Sequence, residues 1–270
     1  MSGGVLPAEV RRSSLFQSLG VQMRVIGAVL MRELHTRYGR ENIGYLWLIG
    51  EPLMLGTVIG LVHLTTSLRD NGFNAVTFTI VGYCNFIMFR GIIGRSEGTL
   101  LSNQPLLYHS MVTVFDITFA RAILEAAGTF SSFLILYSLL MLIGFAGFPE
   151  RPLYLLAGVG YVFWFSFGIS MIIVGGTYEN RLLERMTHPF SYFMIPLSGA
   201  FIRVAWIPEP YRHYFLFNPF PQIFELIRYG VFENATLEFV NFTYITGFCL
   251  VLTLLGLIAL KAVRRRIELS

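Results

Sequence analysis

Long stretches without a charged residue alternate along this chain with short segments that carry arginine. Five such stretches are bounded by charged residues at 70 and 90, 125 and 150, 151 and 179, 185 and 203, and 238 and 261. About 20 apolar residues are needed to cross a bilayer core roughly 30 Å thick. Only helices and closed barrels satisfy their backbone groups there, and runs this continuously apolar are not typical of barrel strands. The pattern predicts an all-α, polytopic helical membrane protein.

The uncharged stretches and their flanks predict six transmembrane helices. The expected spans are 45–66, 74–94, 114–146, 152–177, 187–203 and 239–260. Tyr45 and Trp47 open the first span at the depth where aromatic side chains concentrate. The fifth span is short and is interrupted by Pro189 and Pro196, each of which removes a helix hydrogen bond.

Residues 19–40 precede the first span and combine an apolar stripe with basic residues between its members. This pattern predicts an amphipathic helix that lies in the headgroup layer. A water-soluble helix that packs on a partner subunit is the alternative. Residues 1–18 are expected to form a flexible cytoplasmic N-terminus and residues 263–270 a cytoplasmic tail, with a single domain, 19–262, between them.

The basic residues predict the orientation of the chain in the membrane. With the N-terminus inside, 13 of the 20 lysines and arginines fall on inner segments and five on outer ones. Inner segments carry the excess of basic residues in membrane proteins. Both termini are therefore expected in the cytoplasm.

Segment 204–238 is too apolar for a solvated loop and too short for two full spans. It holds four prolines and seven aromatic residues in its first 21 positions. We expect two half-helices that dip into the outer leaflet, with a turn at Asn218-Pro219. Non-helical backbone at such depth is tolerated where protein covers it. The segment is thus predicted to be a re-entrant outer hairpin between helices 5 and 6.

Composition excludes several classes of site. Only 13% of the residues are charged, against about 25% in a soluble domain. Lys261 is the only lysine, so the chain has no phosphate-binding loop of the Gly-x-x-x-x-Gly-Lys type. The five histidines and two cysteines show no metal-ligand spacing. We expect no catalytic residue and no metal. If the protein moves a solute uphill, the energy comes from a partner or an ion gradient.

Charged residues at or near span ends are candidates for function, because charge is costly in a membrane. Arg121 and Glu125 are four positions apart and can pair on one helix face. A structural network of ion pairs and direct contact with substrate are the two interpretations of these residues. The predicted intramembrane ion-pair residues are Glu51, Asp116, Arg121 and Glu125.

Aromatic residues make up 15% of the chain. Their faces suit sugar rings, although most membrane aromatics anchor or pack helices. Together with two arginines near span ends, they form the predicted substrate pathway. Its members are Trp47, Tyr83, Phe86, Arg90, Tyr161, Trp164 and Arg203.

The loop 95–112 is long enough for a short helix with an apolar edge. Such an edge suits docking into a groove of another protein, and a simple interfacial helix is the alternative. The residues that form or flank this edge are Gln104, Pro105, Leu106, Leu107 and Tyr108.

Several of these segments together resemble a known family. The first carries Met31-Arg-Glu-Leu-His-Thr-Arg-Tyr-Gly-Arg40, then Gly44-Tyr-Leu-Trp47 and Glu51-Pro52. It resembles the start of the type-2 ABC export permeases of bacterial surface polysaccharides, and most of all the permease of Gram-negative capsule export. Further matching segments follow in the same order across 24–262. They are Asn103-Gln-Pro-Leu-Leu107, Phe115-Asp116, Ala120-Arg121, Leu124-Glu125, Glu179-Asn-Arg181, and Asn218-Pro219 with Glu225 and Arg228. The family pattern has a histidine a few residues after Asn-Pro, where this chain has Gln222.

The resemblance implies a homodimeric permease in the bacterial inner membrane, joined to two cytoplasmic ABC ATPase subunits that bind ATP and Mg. Segment 19–40 would be the interface helix, with Arg32, Glu33, Arg37 and Tyr38, and 95–112 the coupling helix on the ATPase. The cargo would be a lipid-linked acidic polysaccharide, with Arg90 and Arg203 holding its anionic groups. A periplasmic co-polymerase adaptor and an outer-membrane export channel would be further partners.

Other functions remain as alternatives. O-antigen, teichoic acid or another lipid-linked glycan would change the cargo but keep the class. A membrane-embedded glycosyl- or acyltransferase would need acidic residues or histidines clustered in one loop, whereas here the loop charges are scattered. An ion-coupled carrier would show broken helices in two related halves, and only the fifth predicted span and its hairpin are broken.

Overall fold

A computed structural model describes residues 15–38, 54, 57–58, 73–104, 112–178 and 180–267. All regular elements in these ranges are helical. In chain order they are α1 (Leu15–Tyr38), α2 (Ala75–Gly94), α3 (Thr99–Ser102), α4 (Val114–Ile143), α5 (Pro152–Thr177), α6 (Arg181–Leu197), a 3₁₀ turn (Val204–Trp206), α7 (Glu209–Leu216), α8 (Pro219–Val231) and α9 (Phe242–Ile267).

Four helices in the described ranges are long and apolar enough to cross a membrane. They are α2, α4, α5 and α9, and they correspond to the second, third, fourth and sixth predicted spans. The fifth predicted span falls largely on α6, a 17-residue helix that begins with charged residues and contains Pro189 and Pro196. The first predicted span falls almost entirely outside the described residues. The described residues therefore form an all-helical protein with four candidate membrane spans.

Side-chain caps explain where several helices begin. The Asn74 side chain accepts hydrogen bonds from the first turn of α2, and Asn180 does the same for α6. Thr113 and Asp116 form a reciprocal capping box at the start of α4. That helix ends at Ile143 because Gly144 takes a left-handed conformation, with φ of 84°.

Helix α5 is the centre of the bundle and packs against α2, α8 and α9. Glycines permit the closest approaches. A Cβ added at Gly175 of α5 would lie 2.5 Å from the Cβ of Ala259 on α9, and one added at Gly256 of α9 would lie 2.6 Å from that of Met171. Small residues at such crossings let helix backbones approach and gain van der Waals contact in a membrane.

We expect Gly175→Ala to destabilise the protein by about 1–3 kcal/mol, the usual cost of overpacking. The new methyl group would also lie 2.8 Å from the backbone carbon of Ala259, so a side-chain rotation cannot relieve the clash. Gly160→Ala on the same helix is the matched control, because nothing lies within 4 Å of its added Cβ. Thermal unfolding of both variants in detergent measures the difference, and equal midpoints would contradict the tight crossing.

The amphipathic helix predicted at 19–40 corresponds to α1. Ile26 and Val29 are buried on α1 and pack against Ile117 and Ala120 near the start of α4. The charged residues of α1 on either side of this pair, Arg24, Arg32 and Glu33, are exposed or half-buried. This end of the bundle is called the α1 end below.

The opposite end of the bundle, called the hairpin end, is formed by α7, α8 and the chain before them. Helices α7 and α8 are joined by a turn at Phe217 and Asn218. Helix α7 has no buried residue, whereas 12 of the 13 residues of α8 are buried, largely against α5. The structure places two helices within 204–238, and a re-entrant hairpin in the outer leaflet stays a prediction.

Candidate functional site

A cluster of polar side chains joins three segments at the α1 end. Arg121 of α4 lies at its centre, and its Nε donates to Glu33 Oε1 of α1 at 3.0 Å. Its Nη1 donates to Thr99 Oγ1 at 3.0 Å and its Nη2 to Ser102 Oγ at 3.1 Å, both on α3. One guanidinium therefore connects α1, α3 and α4. Glu33, Thr99, Ser102 and Arg121 are called the Arg121 cluster.

A second contact ties α1 to the same segment. Arg32 Nη1 donates to Asn103 Oδ1 at 2.9 Å, and Asn103 is buried. Of these adjacent residues of α1, Arg32 thus binds the segment that follows α2 directly, whereas Glu33 is linked to it through Arg121. Arg37 and Tyr38, also predicted for the interface helix, end α1, and the structure describes only their backbone.

Glu125 lies one turn beyond Arg121 on α4 and is 4% exposed. Its Oε1 pairs with Arg95 Nε at 3.0 Å, just after the end of α2. The spacing indicated that Arg121 and Glu125 can pair with each other along α4. The structure instead gives Arg121 a partner on α1 and Glu125 a partner beside α2, so these charges connect different elements.

Asp116 holds the start of α4. Its Oδ2 accepts from the Thr113 backbone N–H at 2.9 Å, and Thr113 Oγ1 accepts from the Asp116 N–H at 3.2 Å. The Gln22 side chain of α1 donates to Asp116 Oδ1. Asp116 therefore fixes a helix terminus and the position of α1 together. Glu51, also predicted in an ion pair, lies outside the described residues.

A cavity of about 350 Å³ opens beside the Arg121 cluster and is lined by charged side chains of both signs. Such a cluster is suited to hold α1, α3 and α4 in register.

Gln104, the first of the predicted docking residues, is exposed next to this region. The other four, Pro105, Leu106, Leu107 and Tyr108, lie outside the described residues.

A buried ion pair organises the hairpin end. Arg228 of α8 is 2% exposed, and its Nη1 donates to Glu225 Oε1 at 3.0 Å. Its Nη2 donates to the carbonyls of Ala200, at 2.9 Å, and Gly199. Glu225 Oε1 accepts from the Val204 N–H at 2.9 Å. Glu225, Arg228 and the backbone of 199–204 are called the Arg228 cluster; it satisfies irregular backbone that has no helical partners.

Two amides complete the hairpin. Asn218 Oδ1 caps α8, and its Nδ2 donates to the Leu197 carbonyl at the end of α6 at 3.0 Å. Gln222 Nε2 donates to the Leu216 carbonyl of α7, and its Oε1 accepts from the Asn241 N–H, both at 3.0 Å. Gln222, which stands where the resembled family has histidine, therefore joins α7, α8 and the start of α9.

The two arginines of the predicted substrate pathway lie at opposite ends of the bundle. The Arg90 guanidinium carbon lies 4.3 Å from the ring centroid of Tyr192, and Arg90 also donates to its hydroxyl. That of Arg203 lies 4.3 Å from the ring centroid of Phe73. Both are half-buried. Stacking on an aromatic face orients a guanidinium while leaving N–H groups for an anion.

The predicted pathway aromatics are placed in two groups. Tyr83 and Phe86 are buried on α2. Tyr161 and Trp164 of α5 are half-buried against α9, where they make hydrogen bonds of 2.8 and 2.9 Å to threonine side chains. Trp47 lies outside the described residues. Within one chain these four side chains serve helix packing, and their contact with a sugar polymer stays a prediction.

Arg228 was absent from the predicted site residues, although the sequence carried a signal. Glu225 and Arg228 are three positions apart inside an otherwise apolar run, and such a pair lies on one face of a helix. A charged side chain buried in an apolar helix is costly unless it has an oppositely charged partner and further hydrogen bonds. The run 219–231 was therefore a candidate for a buried structural pair.

Over the described ranges, no three side chains among His, Cys, Asp and Glu are grouped so as to hold a metal ion. The geometry of both clusters is that of connectors between helices and backbone segments.

Comparison with known proteins gives a family match and close relatives. The profile of the family described as "ABC-2 type transporter" matches residues 24–232. The chain is 35% identical to the capsule polysaccharide export inner-membrane protein CtrC of Neisseria meningitidis serogroup A, over 96% of this chain and 98% of that protein. It is 33% identical to the capsule polysaccharide export inner-membrane protein BexB of Haemophilus influenzae, over 93% and 96%.

A third relative is the polysialic acid transport protein KpsM of Escherichia coli, 30% identical over 88% of this chain and 92% of that protein. The O-antigen export system permease protein RfbA of Klebsiella pneumoniae is similar at 23% identity, over 92% and 95%. Identity is thus higher to the proteins named for capsule polysaccharide export or polysialic acid transport than to the one named for O-antigen export.

Proposed function

Because this chain belongs to the ABC-2 type transporter family, we propose that it is the permease subunit of an ATP-driven exporter of lipid-linked capsular polysaccharide. The observation that carries the proposal is the match of nearly the whole chain to capsule polysaccharide export inner-membrane proteins. It is a multi-pass inner-membrane transport subunit, and it is not an enzyme.

The energy is supplied by a partner ABC ATPase. Two copies of this chain would pair with two cytoplasmic ATPase subunits, which bind ATP and Mg. The interface helix, 19–40, and the coupling helix, 95–112, would rest on those subunits. The Arg121 cluster supports this assignment, because it ties α1 and α3 to α4, a candidate span. A displacement of the coupling segment would therefore move α1 and α4 with it.

The proposed membrane arrangement has six spans, both termini in the cytoplasm and a re-entrant hairpin at the outer face. The distribution of basic residues supports the orientation. The burial of α8 and the Arg228 cluster support the hairpin, since they give covered partners to backbone that lipid cannot satisfy.

The proposed cargo is an acidic polysaccharide on a lipid anchor. Arg90 and Arg203 would contact its anionic groups through charge-assisted hydrogen bonds. Tyr83, Phe86 and the other pathway aromatics would contact its sugar rings. A periplasmic co-polymerase adaptor and an outer-membrane channel would take the polymer onward.

The alternative cargo is O-antigen or another lipid-linked glycan, supported by the lower similarity to the O-antigen export permease. In both cases the class of transporter is the same. The membrane-embedded transferase has no comparable support, because the relatives described above are named for export or transport.

A deletion strain tests the function. We expect loss of surface capsule with lipid-linked polymer accumulating inside the cell. Supplying the chain on a plasmid should restore the capsule and remove the internal polymer. Lipopolysaccharide from the same cells, separated on a gel, serves as the control for O-antigen. Loss of capsule without internal polymer would assign the chain to synthesis. An intact capsule with a lost O-antigen ladder would change the cargo.

A further inference from the structure

A cleft at the α1 end lies between the last turns of α9 and the first turn of α4. Its volume is about 570 Å³, within the range of about 300–1,000 Å³ that small-molecule sites occupy. Phe115, Leu257 and Leu260 form its apolar wall. This cleft is separate from the cavity beside the Arg121 cluster.

Three cations form one side of the cleft. Lys261, Arg264 and Arg265 all line it, and the spacing of three and four places them on one helix face. All three are exposed. The nearest acidic residue of α4, Asp116, is 1% exposed, and its oxygens already accept hydrogen bonds from Thr113 and Gln22. Among the described residues, this side of the cleft is therefore lined by three cationic side chains and by no acidic one.

The position along α9 places these cations at a membrane surface. Lys261 follows Phe242, the first residue of the helix, by 19 residues, which is about 28 Å at the rise of an α-helix. A hydrocarbon core is roughly 30 Å thick. Leu257 and Leu260 thus lie at the level of acyl chains, whereas Lys261 and the two arginines lie at the level of headgroups.

We propose that this cleft binds one anionic phospholipid, with its phosphate on Lys261, Arg264 and Arg265 and an acyl chain along Phe115, Leu257 and Leu260. Arginine and lysine in the headgroup layer attract anionic lipids, and arginine presents paired N–H groups to phosphate oxygens. The apolar wall beside the cations matches an amphiphile. The lipid would bridge the start of α4 and the end of α9.

Native mass spectrometry of the full-length protein in detergent tests the site, with phosphatidylglycerol as probe and phosphatidylcholine as the neutral comparison. We expect one tightly retained phosphatidylglycerol per chain. The variant K261Q/R264Q/R265Q should bind it about 100-fold more weakly, since each basic residue near an anionic surface contributes roughly a fivefold attraction. Arg266→Gln is the matched control, because Arg266 is the next exposed cation of α9 and does not line the cleft.

Equal losses in Arg266→Gln and in the single variant Arg265→Gln would overturn the proposal in favour of general attraction by a basic helix end. Unchanged lipid binding in the triple variant would also overturn it. If that variant binds lipid normally but loses its ATPase partner on purification, the cleft binds protein instead.

The single lysine provides a second measurement that does not depend on the triple variant. Lys261 is the only lysine in the chain, and reductive methylation with ¹³C-formaldehyde keeps its charge. We expect phosphatidylglycerol to shift the NMR signal of this dimethyl-lysine, and glycerol phosphate at the same concentration to leave it unchanged. An equal shift with glycerol phosphate would show a simple anion site without a lipid.

Discussion

Replacing Arg228 by methionine is expected to remove most of the folded protein from the membrane. The guanidinium is 2% exposed and donates to Glu225 and to the carbonyls of Gly199 and Ala200. Methionine keeps much of the apolar volume but leaves a buried carboxylate without its cation. Breaking a buried pair in this way costs about 3–5 kcal/mol, a large share of the roughly 5–15 kcal/mol that stabilises a folded protein.

The same geometry predicts an order among variants. Arg228→Lys should restore little of the yield of folded protein. One ammonium group lacks the spread of the guanidinium, so it cannot reach Glu225 and the two carbonyls together. Glu225→Gln should be milder, since an amide oxygen can still accept from the Val204 N–H, and Arg228 keeps its carbonyl partners. Size-exclusion chromatography of detergent extracts, with the chain fused to a fluorescent protein, measures the yield of monodisperse material.

The matched control is Arg212→Met in the neighbouring helix α7. Arg212 also donates to a backbone carbonyl, that of Ile207 at 3.2 Å, but it is only half-buried. Its loss should reduce the yield slightly, because water or headgroups can replace the lost partner. A normal yield of Arg228→Met would show that the hairpin is held by α8 packing alone.

The candidate membrane-spanning helices were the most predictable part of this fold, since a long apolar run without charged residues is typical of a transmembrane helix. Their ends depended on single residues. The third predicted span runs to 146, whereas α4 ends at Ile143 because Gly144 adopts a left-handed conformation. The last predicted span ends at 260, whereas α9 continues to Ile267. The last turns of α9 can carry basic residues for two reasons. Long basic side chains can extend their charge to the membrane surface, and cations stabilise a helix near its C-terminus.

The polar partners could not be predicted, because sequence spacing reports neighbours on one helix only. Arg121 and Glu125 satisfy that spacing, but the partner of Arg121 is Glu33, 88 positions away. Arg32 and Asn103 are likewise hydrogen-bonded although they are 71 positions apart in the sequence. Such pairs depend on how α1 crosses α4, which is set by the packing of Ile26 and Ala120 and their neighbours.

Replacing Arg121 by alanine is expected to lower polysaccharide export at least tenfold while the protein still folds. The proposed function supplies the reason: Arg121 would carry motion from the coupling segment to α4. Its bonds to Glu33, Thr99 and Ser102 would be lost together. Each hydrogen bond to a charged group contributes about 1.5–3 kcal/mol, and about 1.4 kcal/mol corresponds to a factor of ten. ATP hydrolysis by the complex should persist, so transport and hydrolysis become uncoupled.

Two variants and a control separate the roles of the contacts. Glu33→Gln removes only the ion pair to α1 and should lower export less than Arg121→Ala. Arg121→Lys keeps a charge for Glu33 but loses the fork that reaches both hydroxyls of α3, so its export should lie between the two. Arg24→Ala on α1 is the control, because Arg24 is exposed and bonds only its own helix among the contacts described here. Export per ATP hydrolysed is measured in vesicles with purified ATPase. If Arg121→Ala lowers hydrolysis and export in parallel, the cluster assembles the complex instead of coupling its motion.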